Sequence, residues 1–193
     1  ISFILGFTGG GATIYVLDLI DDRFHSAEDL KSQVGVPILT SIQKLKPLGD
    51  YGLGSLYTYA RPNAPESEAF RTLRTSLDFT AGGVRRLTIS STQPSDGKTT
   101  VISNLAVAYA QAGRRVIVID GDMRRPGLTR LFQRSGHAGL SSVLKDDRPI
   151  VESIGGLIYE TDLPNLHVLP AGPKPINPVE LLTSERLSDL LAW

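Results

Sequence analysis

Residues 92–99 read T-Q-P-S-D-G-K-T, and this string constrains the chain more than any other stretch. It follows residues 84–91 (V-R-R-L-T-I-S-S), whose second half reads as a buried strand. It precedes residues 100–112 (T-V-I-S-N-L-A-V-A-Y-A-Q-A), which read as a helix with an apolar face. Strand, tight glycine loop ending in Lys-Thr, then helix is the order of a phosphate-binding P-loop. Backbone N–H groups converge at such a helix start, and the helix dipole favours an anion there. The expected nucleotide contacts are Gln93, Pro94, Ser95, Asp96, Gly97, Lys98, Thr99 and Thr100, with Lys98 reaching the outer phosphates and the Thr99 hydroxyl placed for Mg²⁺. Thr92 stands where the usual pattern has a small residue. The competing reading is a surface turn with Lys98 in solvent.

Residues 116–122 read V-I-V-I-D-G-D and continue into Met123, Arg124, Arg125 and Pro126. Four β-branched residues in a row predict a strand buried on both faces of a parallel sheet. Gly113 is placed to end the preceding helix, so this strand is expected to return parallel to the first and beside it. Asp120 then lies at its carboxyl end and Asp122 just beyond, at the edge where open parallel sheets bind ligands. Two carboxylates facing a phosphate loop suit Mg²⁺ binding and proton acceptance from an attacking hydroxyl. Taken alone, Asp120 and Asp122 read equally well as caps of the following turn.

The run Asp120, Asp122, Arg124 after a hydrophobic strand resembles the second Walker-type motif of bacterial tyrosine kinases, P-loop kinases that accompany capsule and exopolysaccharide export. Other stretches are similar to the same family. Glu68-Ala69-Phe70-Arg71-Thr72-Leu73-Arg74 looks like its E-x-x-R-x-x-R helix. Residues 172–182 (G-P-K-P-I-N-P-V-E-L-L) look like its G-x-x-P-x-N-P-x-E-L-L segment. Residues 21–39 are similar to the membrane-proximal end of its chain-length-regulator domain.

The resemblance implies an α/β P-loop NTPase with a mostly parallel sheet flanked by helices. It implies ATP and Mg²⁺ as cofactors and phosphoryl transfer to tyrosine. By this resemblance Lys98, Asp120 and Asp122 are catalytic, Thr99 and Asp122 hold Mg²⁺, and Glu68, Arg71 and Arg74 form the face through which copies assemble into a ring. The implied partners are further copies, the polysaccharide export machinery, a phosphatase and the membrane. The implied location is the bacterial inner membrane, with the kinase domain in the cytoplasm. The family also carries a later strand ending in Asp before prolines, and a tyrosine-rich tail. Neither occurs in these 193 residues, so the chain is expected to be a fragment, incomplete at its C-terminus and nearly inactive alone.

The rest of the chain is expected to divide as follows. Residues 1–17 carry no charge; as a helix they would span roughly 25 Å, against a hydrocarbon core of ~30 Å. Residues 1–19 are therefore read as the end of a transmembrane helix, and 20–43 as a membrane-proximal segment with a helix over 26–33 and a strand over 36–42. Residues 44–63, rich in Gly and Pro, read as a linker or mobile loop carrying exposed Tyr57 and Tyr59. Residues 64–193 form the P-loop domain. In it Glu68, Arg71 and Arg74 share a stripe of about 120° on one helix, while Phe70, Leu73 and Leu77 face the core. Helices are expected over 128–133, 140–144 and 178–192, and strands over 156–159 and 166–169. Tyr109 and Tyr159 read as packing residues.

Formal net charge is zero, with 20 basic and 20 acidic residues, which leaves no electrostatic footprint for nucleic acid. The chain has no cysteine, which excludes disulfides and thiolate metal sites. His25, His137 and His167 show no metal-ligand spacing. Three alternatives stand beside the kinase reading. A partitioning-type P-loop ATPase would carry a signature Lys where this chain has Gln93. A chain-length scaffold would use nucleotide only to switch assembly. A dinucleotide-binding domain would open its first helix with G-x-G-x-x-G, which is missing.

Overall fold

The computed structural model describes residues 35–80 and 85–193. The transmembrane expectation for residues 1–19 and the helix expected over 26–33 lie outside the described residues. Among the described residues no helix is long and apolar enough to cross a membrane. The chain divides into two compact units, Ile1–Leu39 and Thr40–Trp193. In the first, residues 35–39 form neither helix nor strand. The second unit is a mixed α/β fold.

Residues 44–63 are not a loose linker. A 3-10 turn at Leu53–Ser55 leads into helix α1 (Tyr57–Ala60), and Leu53, Leu56 and Tyr57 are buried. The correction has a physical cause: these apolar residues fall together in one short turn, and their backbone is held elsewhere. Gly52 N–H donates to the Leu131 carbonyl at 2.7 Å. The Tyr57 hydroxyl donates to the Lys46 carbonyl at 2.9 Å. Thr58 offers both its N–H (3.0 Å) and its hydroxyl (3.1 Å) to the buried Asn104 Oδ1. Tyr57 is thus a core residue, whereas Tyr59 is exposed as expected.

Helix α2 (Pro65–Thr80) starts on a proline with Glu66 and Glu68 in its first turn, both favourable at a helix N-terminus. Phe70 and Leu73 face the core as expected. Helix α3 (Lys98–Gln111) is buried nearly all round from Ser103 to Ala110. Its end is a Schellman motif: Gly113 sits at φ +80°, its N–H donates to the Ala110 carbonyl, and Arg114 N–H donates to the Tyr109 carbonyl at 3.1 Å.

Strand β1 (Val116–Ile119) follows, then helices α4 (Gly127–Leu131), α5 (Leu140–Lys145) and α6 (Ile150–Ser153), strands β2 (Tyr159–Glu160) and β3 (Leu166–Leu169), and helices α7 (Pro178–Leu182) and α8 (Glu185–Ala192). The sheet order is β1-β3-β2. β1 and β3 are parallel, with Val116 opposite Leu166 and Ile119 opposite Leu169. β2 runs antiparallel to β3.

Several expectations are corrected. Residues 85–91 form no strand, and β1 has β3, not that segment, as its neighbour. A strand exists through its ladder, and among the described residues 85–91 meet no ladder partner. Residues 36–42 form no strand for the same reason. β1 is not buried on both faces: Val118 is buried, but Ile117 is 45% exposed. The strand expected over 156–159 begins only at Tyr159, because residues 155–157 form a turn with Gly156 at φ +74°. The last helix is two helices. Ser184 takes an extended conformation and turns its hydroxyl back to the Leu181 carbonyl at 2.7 Å, the local competition by which serine breaks helices.

Two apolar clusters hold the layers. One joins Leu53, Leu56, Val107, Val118 and Leu166. The other joins Met123, Leu140, Val143, Leu169 and Leu190. Met123 thus anchors the turn after Asp122 from below. The first packs the middle of α3 against β1 and β3, and the second holds Met123 against the carboxyl end of β3 at Leu169.

Candidate functional site

The loop of residues 92–97 closes on itself. Asp96 Oδ2 accepts the Gln93 N–H at 2.9 Å and the Thr92 hydroxyl at 3.3 Å. Ser95 and Gly97 take positive φ values of 71° and 93°, the left-handed geometry that turns successive N–H groups to one side. Helix α3 then starts at Lys98, where the first-turn N–H groups have no intrahelical partner by geometry. The Lys98 ammonium donates to Ser91 Oγ at 2.7 Å and to the Gln93 carbonyl at 3.3 Å. It lies over the loop it belongs to.

Asp120 and Asp122 differ sharply. Asp120, just past β1, is 3% exposed. Its N–H donates to the Leu169 carbonyl at 3.0 Å. Its Oδ2 accepts the N–H and the hydroxyl of Thr129, both at 2.7 Å, and its Oδ1 accepts the Asp122 N–H at 3.2 Å. Burial pushes its carboxyl above the ordinary value, while the bonds from Thr129 and Asp122 pull it back down. Asp122 is exposed, and its Oδ1 accepts the N–H groups of Arg124 (3.2 Å) and Arg125 (2.8 Å). It does cap the following turn, which leaves its Oδ2 outward.

The acidic turn and the loop meet through Gly127. A Cβ built on Gly127 would fall onto Thr99 Oγ1. The first residue of α4 therefore lies against the hydroxyl at the start of α3, and only hydrogen fits between them. Beside this contact opens a cavity of ≈ 500 Å³, bordered by Thr99, Gly127, Arg130, Lys46 and Tyr51.

Glu68, Arg71 and Arg74 lie away from the loop. Arg71 pairs with Glu68 at 3.0 Å on the surface of α2. Arg74 Nη1 turns inward and donates to the Ala108 carbonyl at 2.9 Å, near the far end of α3.

No protein-family model matches the chain. CapB of Staphylococcus aureus, which its name places among the tyrosine-protein kinases, is 36% identical over 140 residues, covering 72% of this chain and 60% of CapB. The crystal structure of the chimerical protein CapA2B2 is 39% identical with a TM-score of 0.72, over 86% of this chain and 68% of its own. The chain belongs to the bacterial tyrosine-kinase family. The kinase domain of Escherichia coli tyrosine kinase ETK agrees, at 29% identity and a TM-score of 0.71, over 88% of this chain and 69% of that one. The chain thus spans 60% of CapB's length.

Within this tyrosine-kinase fold the donors suit a magnesium–nucleotide group. An ammonium and helix-start amides are phosphate donors, and a threonine hydroxyl with a carboxylate oxygen is a hard-oxygen pair of the kind Mg²⁺ takes. Among the described residues no group of three or more His, Cys, Asp or Glu forms a cage, so phosphate oxygens would complete the coordination. Sequence reading missed Gly127, Thr129 and Asn104. Gly127 follows Pro126 and signals only a turn. Thr129 and Asn104 gain their roles from partners 9 and 46 residues away, which no local pattern reveals.

Proposed function

We propose that the protein of which this chain is part transfers the γ-phosphoryl group of ATP to tyrosine hydroxyls, with Mg²⁺ as cofactor. The observation that supports the reading is the contact of Thr99, at the start of α3, with Gly127, the first residue of α4, five residues past Asp122. Lys98 and the amides from Gln93 through Thr100 bind the phosphates. The Thr99 hydroxyl and Asp122 carboxylate hold Mg²⁺, which, when bound, offsets negative charge on the phosphate oxygens. Asp120 orients the tyrosine hydroxyl and takes its proton as the tyrosine oxygen bonds to the γ-phosphorus; the bond to the β-phosphate oxygen breaks and ADP leaves.

The acceptor tyrosine comes from a neighbouring copy, and the face of α2 that carries Glu68, Arg71 and Arg74 contributes to the ring. The relevant setting is capsule or exopolysaccharide export at the bacterial inner membrane, with the kinase unit on the cytoplasmic side and a phosphatase to reverse the modification. What supports this setting is the family membership together with the E-x-x-R-x-x-R run.

The test is replacement of Lys98 by Met in the protein at its natural length. Phosphotyrosine should disappear on immunoblot; an undiminished signal rules the assignment out. ATP-dependent assembly without phosphotyrosine in the wild type would instead make the protein a nucleotide-switched scaffold.

A further inference from the structure

We infer that Thr129 is a positioning residue for the phosphoryl transfer: it locks the Asp120 carboxylate so that Oδ1 is the oxygen left to meet the acceptor hydroxyl. This rests on the kinase reading above and deepens it.

One proton decides the arrangement. Ala171 N–H donates to Thr129 Oγ1 at 2.9 Å, so that oxygen acts there as acceptor. A threonine hydroxyl has a single proton, and Asp120 Oδ2, at 2.7 Å, is where it goes. The Thr129 N–H reaches the same oxygen at 2.7 Å. Oδ2 therefore holds two short bonds from one residue. Among the described residues Oδ1 holds only the Asp122 N–H, at 3.2 Å, the longest of the three.

The surroundings make the lock stiff. Thr129 is 4% exposed and Ala171 1%, so neither competes with bulk water. Three elements converge on the one hydroxyl: the start of α4 through Thr129, the end of β1 through Asp120, and the residues after β3 through Ala171. Ala171 is itself tethered, because its carbonyl accepts the Ser141 N–H at 2.9 Å at the start of α5. Rotation of the Asp120 carboxylate would break both Thr129 bonds at once, each of them charge-assisted.

Valine matches the shape of threonine without the hydroxyl. Thr129→Val leaves Oδ2 with one donor and the Ala171 N–H with none. A displaced carboxylate costs rate without weakening nucleotide binding, and a misplacement on the order of 1 Å costs about 100-fold.

The experiment measures tyrosine phosphorylation and Mg–ADP affinity for wild type, Thr129→Val and Thr129→Ser at natural length. For the valine variant, kcat should fall by about 10- to 100-fold while KM for ATP and Mg–ADP affinity stay within about 2-fold. The serine variant keeps the hydroxyl and should retain kcat within about 3-fold. Unchanged kcat in Thr129→Val overturns the inference. So does a loss of ADP affinity in step with kcat, the mark of a merely structural role. If the valine variant does not fold, the serine variant decides, since a folded Thr129→Ser with strongly reduced kcat also overturns it. A wild type that makes no phosphotyrosine removes the kinase reading and this role together; an active wild type with an equally active Thr129→Val removes only the role.

Discussion

Arg74 reaches across from α2 and donates to the Ala108 carbonyl of α3 at 2.9 Å. Ala108 lies ten residues beyond Lys98, about 15 Å along the helix. The arginine therefore grips the tail of the helix whose head follows the loop of residues 92–97, at a carbonyl that the Ala112 N–H also reaches, at 3.3 Å. The Tyr109 hydroxyl, 3.2 Å from Asp78 Oδ1, ties the same two helices. Of the three residues expected on the assembly face, Glu68 and Arg71 pair with each other at the surface, and Arg74 bonds Ala108 through Nη1.

Arg74 and Arg71 should separate in stability measurements. Arg74→Ala removes a half-buried, charge-assisted bond and a cation at a helix C-terminus; it should lower unfolding free energy by about 1.5–3 kcal/mol. Arg71→Ala removes only an exposed pair and should cost about 0.2–0.5 kcal/mol. Urea titration of the two variants checks this, and equal losses would refute the distinction.

Gly127→Ala should weaken Mg-dependent nucleotide binding. Its Cβ lands on Thr99 Oγ1, so Thr99 must rotate away or α4 must lift, an overpacking effect of about 1–3 kcal/mol. Calorimetric titration with Mg–ADP should show a fall of about 5- to 100-fold. In a Thr99→Ala background the same change should cost much less, because the clash has lost its partner.

The Asp146–Arg148 pair gives a pH signature away from the site. Arg148 Nε and Nη2 reach the Asp146 carboxylate at 3.0 and 2.6 Å, and hydrogen bonds from Arg148 hold that carboxyl well below the usual range. A carboxyl pKa depressed by folding stabilises the fold above its unfolded value of about 3.9, and the effect is lost as pH falls through the folded value. Asp146→Asn should therefore lower the thermal midpoint slightly at pH 7, and the gap to wild type should narrow steadily below pH 4. A gap that widens in acid would contradict the sign.

The sequence carries the parts of this fold that are local. Helix α3 is legible because Gly113 ends it and its alanine-rich stretch has nothing polar to expose. α2 is legible from the spacing of Phe70 and Leu73, and β3 from its apolar run. The parts that depend on distant partners are not. Residues 85–91 look like a strand in composition, but a strand needs a ladder, and theirs has no partner among the described residues. Leu53, Leu56 and Tyr57 sit among glycines and prolines that signal a loop, yet Asn104 and the Leu131 carbonyl draw them into the core. At the candidate site, the tight turn before Lys98 and the order of the two aspartates can be read directly. That Asp120 is buried and clasped while Asp122 stands in solvent cannot be read, because the difference is made by Thr129 on another element.

Met123 gives the acidic turn its ballast. Its thioether lies in the apolar cluster with Leu169 and Leu190 while its two neighbours in sequence face outward. Raising the turn would drag that side chain into water, at about 1.5–3 kcal/mol. The carboxylates of Asp120 and Asp122 therefore stand on a turn whose place is set by a side chain pointing the other way, into the core.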